Sequence, residues 1–477
     1  MALTKEQVAE KAAELAQVQT GERAQLDILR RYWKGRQPLP AVIPSSAPNE
    51  VREMARTSRV NVIDIVVESL TQALFVDGMH AKDESGDDVT VPVWSVWTAN
   101  RMNKHQTGLH RAAIAYGTAY LVITPGDPVP VMRPVSPRLL TAQYGADPDW
   151  CRYALEKRPA AGDWRLYDEE MVYQLTRRSD SSGFELVGEP VPHGSPWTPV
   201  VRYRDAEDLD LEDDAAPELL VGGAGGDGAL QMVCGQVAPM IPLQDQINLT
   251  SFGLKAAEWY SAFRQRWIKG WTPPNAETKM QSAASQLWTF DEHPEDIALG
   301  EFSQTELRGY LESREAGLKY AATLSQTPVH ELTGQLVNLS AEALAAAEIG
   351  RERKAQERQT GMGESHEQAM QVVGAMIDQV VPDDAQMIWR DTSARSFAAV
   401  VDGLGKLAQM LGIPQQELWD RVPGATQQDV RRWKAAAAQG DALGNLTALL
   451  ERQAGGAGAS GERTSAGGLI LPPGVEA

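Results

Sequence analysis

Apolar residues recur at intervals of three and four positions near the start of the chain. This helical spacing is seen at Leu15, Val18, Leu26, Leu29 and Trp33. Thr4 and Gln7 have the spacing of a capping box, in which each side chain bonds the other's backbone amide. The pattern predicts a helix from this cap to about Gly35, before a proline-rich stretch.

Helices are also predicted over residues 60–74 and 94–116. The β-branched and aromatic residues of 117–123, closed by Thr124-Pro125-Gly126, predict a strand. Over residues 129–203, short strand-like runs alternate with Pro, Gly and Asp clusters. This alternation indicates an antiparallel β region inside a mixed domain.

Two long helices are predicted next, over residues 239–268 and 303–326. A helix of about 30 residues rises ~1.5 Å per residue and spans about 45 Å. The first helix places large and small apolar residues on one face, namely Phe252, Ala256, Trp259, Phe263 and Trp267. The second begins with a capping box at Ser303 and Glu306. With the proline-containing segment 269–302 between them, they predict a stalk with a tip.

After this stalk, residues 327–339 are predicted to be a loop, and Ser340 to cap a further long helix that ends near Pro382. The charge run Arg351-Glu352-Arg353-Lys354 favours a solvated helix face over a partner site. Residues 393–438 predict a small helical module. The Gly-, Ala- and Ser-rich residues 455–477 predict a disordered tail.

The formal net charge of −19 argues against tight binding of nucleic acid, because such binding depends on Lys and Arg neutralising phosphates. It permits DNA as a passenger, since a conduit must let the polymer slide. No run approaches the ~20 apolar residues that cross a bilayer, and the N-terminus lacks an apolar signal core, so we expect no membrane association and synthesis in a cytoplasm. Cys151 and Cys234 are expected to be reduced.

Catalytic motifs are absent from the sequence. Gly403-Leu404-Gly405-Lys406 lies in a helical pattern and lacks phosphate-loop spacing, and the glycines of 222–228 favour a flexible linker. No HExxH, EF-hand or GxSxG motif occurs, and His330 and His366 are interpreted as surface or packing residues. We therefore predict no catalytic residue, no metal and no cofactor, and a protein that is not an enzyme.

The order of elements, together with short motifs along the chain, resembles the portal proteins of long-tailed double-stranded DNA phages, of the Gram-positive, actinobacterial siphophage type. The resemblance covers nearly the whole chain. The matching motifs are Tyr32-Trp33-x-Gly35, Asn61-x-Ile63-x-x-Val66, Val76-Asp77-Gly78, Trp97-x-x-Asn100 leading to His110, Gly117-x-Ala119-Tyr120, Leu324-Ser325-x-x-Pro328 and Asn338-x-Ser340-x-Glu342-Ala343-Leu344.

The resemblance implies an α+β portal fold with an α/β wing, a two-helix stem, a small α/β clip, a tunnel loop and a helical crown. The implied parts are the N-terminal wing 1–238, stem helix 239–268, clip 269–302, stem helix 303–326, tunnel loop 327–339, wing helix 340–392, crown 393–454 and tail 455–477. Such a protein forms the channel at one capsid vertex through which DNA is packaged and ejected.

The implied assembly is a homo-oligomeric ring, a dodecamer in the virion. Its implied partners are the terminase large subunit, the head-tail adaptor protein, the major capsid and scaffold proteins, and double-stranded DNA passing through the channel.

Site residues follow from the same resemblance. The tunnel loop would place His330, Glu331, Gln335 and Asn338 toward DNA, and it contains no Lys or Arg. The clip would dock partners through Lys269, Trp271, Trp288 and Phe290, and the stem would pack between subunits through Trp259, Phe263 and Trp267.

Two other classes stay open from the sequence. One is another virion structural protein, such as a coat or tail component, which would lack the stem, clip and stem order. The other is a metal-dependent nuclease with a site that has no sequence motif.

Overall fold

The structure is a computed structural model of the full chain. It describes residues 3–40, 42–44, 46–82, 89–159, 161–178, 183–206, 235–262, 266–269, 298–301, 306–334, 341–391, 397–422, 425 and 428–437. The chain divides into two compact units, residues 1–394 and residues 395–477.

Helix α1, Lys5–Trp33, begins at the predicted capping box. The Thr4 hydroxyl accepts from the Gln7 amide, and the Gln7 side chain accepts from the Thr4 amide at 2.9 Å. The first half of the helix packs Val8, Ala12 and Leu15 against an antiparallel sheet. The predicted helix is confirmed at both ends.

Four shorter helices follow α1: α2 Asn49–Thr57, α3 Val62–Gln72, α4 Thr90–Ala99 and α5 Met102–Tyr116. The prediction of one continuous helix over 94–116 is wrong, because Arg101 has φ +54° and separates α4 from α5. This left-handed conformation cannot continue a right-handed helix. Helix α2 was not predicted, since only Ala55 among its residues is buried.

The strands of the first unit confirm the antiparallel β region. They are β1 Val76–His80, β2 Thr118–Thr124, β3 Val131–Val135, β4 Leu140–Tyr144, β5 Cys151–Arg158, β6 Asp163–Tyr167, β7 Met171–Arg177, β8 Phe184–Leu186, β9 Val191–Pro192, β10 Val200–Arg204, β11 Arg266–Lys269, β12 Ala298–Glu301 and β13 Gln386–Trp389.

These strands form four antiparallel sheets. One has the order β4-β5-β6-β7-β8, with β9 also pairing with β7, and a second has the order β10-β2-β3. The other two are the pairs β1-β13 and β11-β12. In β2, Ala119, Leu121 and Ile123 belong to the largest hydrophobic core, whereas Tyr120 and Val122 contact the first sheet on the opposite face. The strand is therefore buried on both faces, as its continuous apolar sequence suggests.

The remaining helices of this unit are α6 Ile241–Ala262, α7 Arg308–Ser325, α8 Val329–Thr333 and α9 Ala341–Met376. Three predicted boundaries are wrong. Helix α6 ends at Ala262 and the chain re-forms as strand β11, α7 begins at Arg308 without a side-chain cap, and α8 occupies part of the predicted loop. In the described ranges, no helix is long and apolar enough to cross a bilayer.

The second unit contains α10 Phe397–Met410 and α11 Gln415–Leu418, and residues 428–437 are also helical. After α10, Gly412 adopts φ +66°, in agreement with the predicted stop at Gly412-Ile413-Pro414. The predicted linker at 222–228 and the predicted tail at 455–477 lie outside the described residues.

Two glycines of α9 provide a test of its packing. A Cβ at Gly374 would lie 2.5 Å from the carbonyl oxygen of Gln379 and 2.7 Å from Val381, whereas Gly361 faces open space. We expect Gly374→Ala to lower the free energy of unfolding by about 1–3 kcal/mol, because the backbone must shift. Gly361→Ala should be neutral or stabilise by up to about 1 kcal/mol. Urea titration of both variants measures this, and equal stabilities would contradict the packing described.

Candidate functional site

Helices α6 and α7 pack together as an antiparallel hairpin. A Cβ at Gly253 would lie 2.9 Å from the Tyr310 ring, and one at Gly317 would lie 3.0 Å from Ile247. The later residue of α6, Gly253, thus contacts the earlier residue of α7, Tyr310, and the earlier residue Ile247 contacts the later residue Gly317. The two helices therefore run in opposite directions. The glycines allow the helices to approach closely. Beyond the helices, β11 and β12 pair antiparallel, with Trp267 opposite Gly300.

Large apolar side chains lie exposed on this hairpin. Trp259 is 56% exposed and Tyr320 is 65% exposed. The others are Leu249, Tyr310, Leu311 and Leu324. An exposed apolar surface of this kind is typical of a protein–protein interface. Of the predicted stem residues, the structure shows Trp259 on this surface, whereas Phe263 and the Trp267 side chain lie outside the described part of the chain.

Helix α8 and its flanks replace the first half of the predicted loop 327–339. Pro328 precedes the helix, because its fixed φ suits a helix start. Gly334 ends it with φ +67°, a conformation that glycine adopts without a Cβ penalty. His330 is half-buried, and the carboxylate of Glu331 forms an ion pair with the guanidinium of Arg351, with 2.6 Å between nitrogen and oxygen. Gln335 and Asn338 lie outside the described residues.

Of the predicted clip residues, Lys269 lies exposed at the end of β11. Trp271, Trp288 and Phe290 lie outside the described ranges. The structure therefore brings Lys269 to the far end of the helical hairpin from α8 and describes no further member of the predicted set.

A buried ionic network connects α9 to the base of the hairpin. Arg358 pairs with Asp205 at 3.2 Å, and both side chains are less than a tenth exposed. Gln236, just before α6, donates to Asp205 at 2.5 Å, and Lys354 donates to Gln236 at 2.5 Å and to the carbonyl oxygen of Ser325 at 2.9 Å. The start of α6 and the end of α7, which together form the base of the hairpin, are thereby bonded to the same helix.

Burial shifts the pKa values within this network. Desolvation raises the pKa of Asp205, although the Arg358 charge and the Gln236 hydrogen bond act in the opposite direction. Desolvation also lowers the pKa of Lys354 to about 8. The interpretation of 351–354 as a solvated face is therefore wrong for Lys354, which bonds Gln236 and Ser325, and for Arg351, which pairs with Glu331 and with Glu348 of the same helix.

A second buried polar group consists of His110, His366 and Tyr203. The two histidine Nε2 atoms are 2.8 Å apart, the Tyr203 hydroxyl is 2.9 Å from His366 Nδ1, and His110 Nδ1 is 3.2 Å from the carbonyl oxygen of Leu74. Since a carbonyl only accepts, Nδ1 of His110 must donate to it. His366 then donates from Nε2 to His110 and accepts from Tyr203, so neutral histidines satisfy every position.

These histidines have a packing role, one of the two roles expected for His366. Burial lowers the pKa of His110 to about 4, and burial together with the neighbouring His110 lowers the pKa of His366 well below its usual value. The sequence alone offered no signal that residues 256 positions apart would pair. Nowhere in the described part of the chain do three His, Cys, Asp or Glu side chains form a possible metal site.

Comparison with protein families gives one match over most of the chain. Residues 12–442 match the family described as phage portal protein, SPP1 Gp6-like. The chain belongs to the phage portal protein family, whose members are structural components of the virion. The suggested portal family and the α+β fold class are thus confirmed. No curated protein matches the chain.

Solved structures show more distant likeness. A chain in the virion of a native gene transfer agent particle is 13% identical, with a TM-score of 0.45, and the match covers 78% of this chain and 91% of that one. A chain in the neck of a native particle, computed with C12 symmetry, is 13% identical with a TM-score of 0.41 over 78% and 91%. A chain in the neck of an empty particle, computed with C6 symmetry, is 12% identical with a TM-score of 0.38 over 79% and 94%.

Removing one charge of the buried pair tests the network. Arg358→Met leaves the Asp205 carboxylate in the interior without its cation, so we expect the free energy of unfolding to fall by about 3–5 kcal/mol. Arg353→Met, at an exposed position of the same helix, should change it by less than about 0.5 kcal/mol. Chemical denaturation at neutral pH compares the two. Equal, small effects would show that Asp205 finds another partner.

The histidine pair predicts loss of stability in acid. Both pKa values are lower in the folded chain than the usual 6.5. Between pH 6.5 and about 4 the unfolded chain therefore binds more protons, so the free energy of unfolding falls as pH falls. Each histidine contributes a slope of at most about 1.4 kcal/mol per pH unit. The free energy of unfolding, measured by urea titration at several pH values, should fall less steeply with falling pH in His366→Gln. The exposed control His105→Gln should show the same dependence on pH as the unsubstituted protein.

Proposed function

We propose that this chain forms a closed ring around a channel through which double-stranded DNA enters and leaves a capsid. The match of residues 12–442 to the portal family supports this proposal most directly. In the proposed virion the ring is a dodecamer at one vertex, held by capsid and scaffold proteins. The terminase large subunit docks during packaging, and the head-tail adaptor docks afterwards.

The α6–α7 hairpin supports subunit contact in such a ring. Its exposed Trp259, Tyr320 and Leu324 are large apolar groups that a neighbouring subunit can cover. Contacts of a head-to-tail kind between identical subunits close into a ring of cyclic symmetry. In this proposal Phe263 and Trp267 join the same subunit contact.

We assign the channel-facing role to the segment 327–339. It contains no Lys or Arg, so counterion release cannot hold the duplex there and the duplex can slide. The ion pair between Glu331 and Arg351 fixes the start of the segment on α9. His330, Gln335 and Asn338 then offer weak polar contacts to passing DNA, and Glu331 faces the channel with its charge offset by Arg351.

The docking role belongs in this proposal to the clip, residues 269–302. The β11–β12 pair and the exposed Lys269 belong to this end of the hairpin. Trp271, Trp288 and Phe290 add aromatic side chains of the kind that anchor interfaces. Motor and adaptor would use this one surface in turn.

Negative-stain microscopy and native mass measurement of the purified chain test the ring. We expect closed rings of twelve subunits with a central opening. Tyr320→Ser with Leu324→Ser should lower the ring fraction at least about tenfold, since two apolar contacts worth roughly 1–2 kcal/mol each are lost at every interface. As a control, Val380→Ser changes an apolar residue that is 82% exposed and lies outside the hairpin, and it should leave rings intact. Folded monomers at micromolar concentration in the unsubstituted protein would rule the ring out.

A further inference from the structure

A cavity of about 420 Å³ near the end of α1 is lined only by charged side chains. Five of them are cations and one is an anion: Arg30, Arg31, Lys34, Arg36, Arg138 and Asp27. The lining therefore has a formal charge of +4, in a chain whose net charge is −19. Such a concentration of positive charge is opposite in sign to the rest of the molecule.

Two of the five cations are already paired within the chain. Arg138 donates to Asp27 through Nε at 2.7 Å, and Lys34 lies 3.9 Å from Asp64 and 3.6 Å from the centre of the Trp33 ring. The pair with Asp27 fixes the Arg138 guanidinium in the cavity wall. Asp27, the one acidic residue of the lining, is thereby neutralised by Arg138, and the other four cations leave the cavity positively charged.

The other three cations are Arg30, Arg31 and Arg36. Their side chains form no ion pair or hydrogen bond with the residues that the structure describes, and all three are exposed. Arg30 and Lys34 are also four positions apart at the end of α1, a spacing at which like charges destabilise a helix. An anion bound in the cavity would relieve this repulsion.

The helix end explains only part of the cluster. Cations in the last turn of α1 interact favourably with the helix dipole, which accounts for Arg30 and Arg31. Arg36 follows the helix, and Arg138 comes from the segment between β3 and β4, more than a hundred residues away. The fold therefore brings together cations that the dipole does not require.

We propose that this cavity binds the phosphate backbone of double-stranded DNA. Arginine presents a planar fork of donors that matches phosphate oxygens, and four of the five cations are arginines. The lining has no aromatic side chain for base stacking and no amide to read a base edge. Contacts to phosphate carry no sequence information, so we expect binding to be independent of sequence, and single strands gain no stacking energy.

The lining also distinguishes DNA from an acidic protein as the ligand. Protein interfaces depend on buried apolar or aromatic anchors at their centre, where charged residues are depleted. All six side chains here are charged, so a protein partner would find no anchor. A phosphate backbone needs only cations.

This inference rests on the proposed function, in which duplex DNA passes through the ring. It adds a holding contact outside the channel segment 327–339, which has no Lys or Arg. Because the surrounding charge is negative, the contact is weak and sensitive to salt. DNA can thus be held at the wing without being gripped in the channel.

The test measures binding of a labelled duplex of about 24 base pairs to the full-length ring by fluorescence anisotropy, over roughly 25–150 mM salt. The cavity variant is Arg30→Gln, Arg31→Gln and Arg36→Gln together. The control variant is Arg52→Gln, Arg177→Gln and Arg353→Gln, which removes equal charge from exposed positions outside the cavity. Native mass measurement first establishes that each variant forms rings, and poly-glutamate and inorganic pyrophosphate serve as competitors.

We expect the cavity variant to bind at least about fivefold more weakly at the lowest salt, and its log affinity to fall less steeply with log salt, by up to about 2.7 in slope. The control variant should match the unsubstituted ring, and two duplexes of different sequence should bind equally.

Equal weakening in both variants would overturn the proposal, because net charge alone would then explain binding. Stronger competition by poly-glutamate than by unlabelled duplex would assign the cavity to an acidic protein instead. Unchanged duplex binding by the cavity variant would also overturn the proposal, and weaker pyrophosphate binding by that variant in calorimetry would then make the cavity a small-anion site. If the cavity variant alone fails to form rings, the cations belong to a subunit interface. Absence of rings in the unsubstituted protein contradicts the proposed function, a result distinct from each of these.

Discussion

The cost of burying charged and polar side chains along one long helix governs much of this structure. Helix α9 buries Arg358 and His366 and half-buries Lys354, and an unpaired charge or donor at such positions is expensive. Each therefore needs a partner from another segment. The partners come from four separate parts of the chain: Asp205 after β10, Gln236 before α6, Ser325 at the end of α7, and His110 in α5.

This requirement joins the sheets to the helical hairpin. Gln359 donates to the carbonyl oxygen of Ala73 at 3.1 Å, and Glu367 accepts from the backbone amide of Met387 in β13 at 3.0 Å. The same helix thus bonds the end of α3, strand β13 and the base of the α6–α7 hairpin. Since removal of one partner leaves another buried and unsatisfied, these elements are held as one unit.

Charge is distributed to suit the proposed role. The chain is strongly acidic overall, and the segment assigned to the channel has no cation. Three arginines without a side-chain partner in the described part of the chain, Arg30, Arg31 and Arg36, lie together in the α1 cavity. Sliding and holding of DNA, which need opposite electrostatics, are separated in the proposal between two parts of the subunit.

The sequence by itself determined the local elements whose signals are short in range. The capping box at Thr4, the run at β2, and the stop at Gly412 all depend on residues within a few positions of one another, and the structure confirms them. The order of elements and short motifs likewise sufficed for the portal family. Only the tertiary structure decided the break at Arg101, the pairing of His110 with His366, and the burial of Lys354. Each of these features depends on the residues that the fold places beside it. Those residues lie far away in the sequence, so the local pattern of a helix does not show whether a given side chain is buried or exposed.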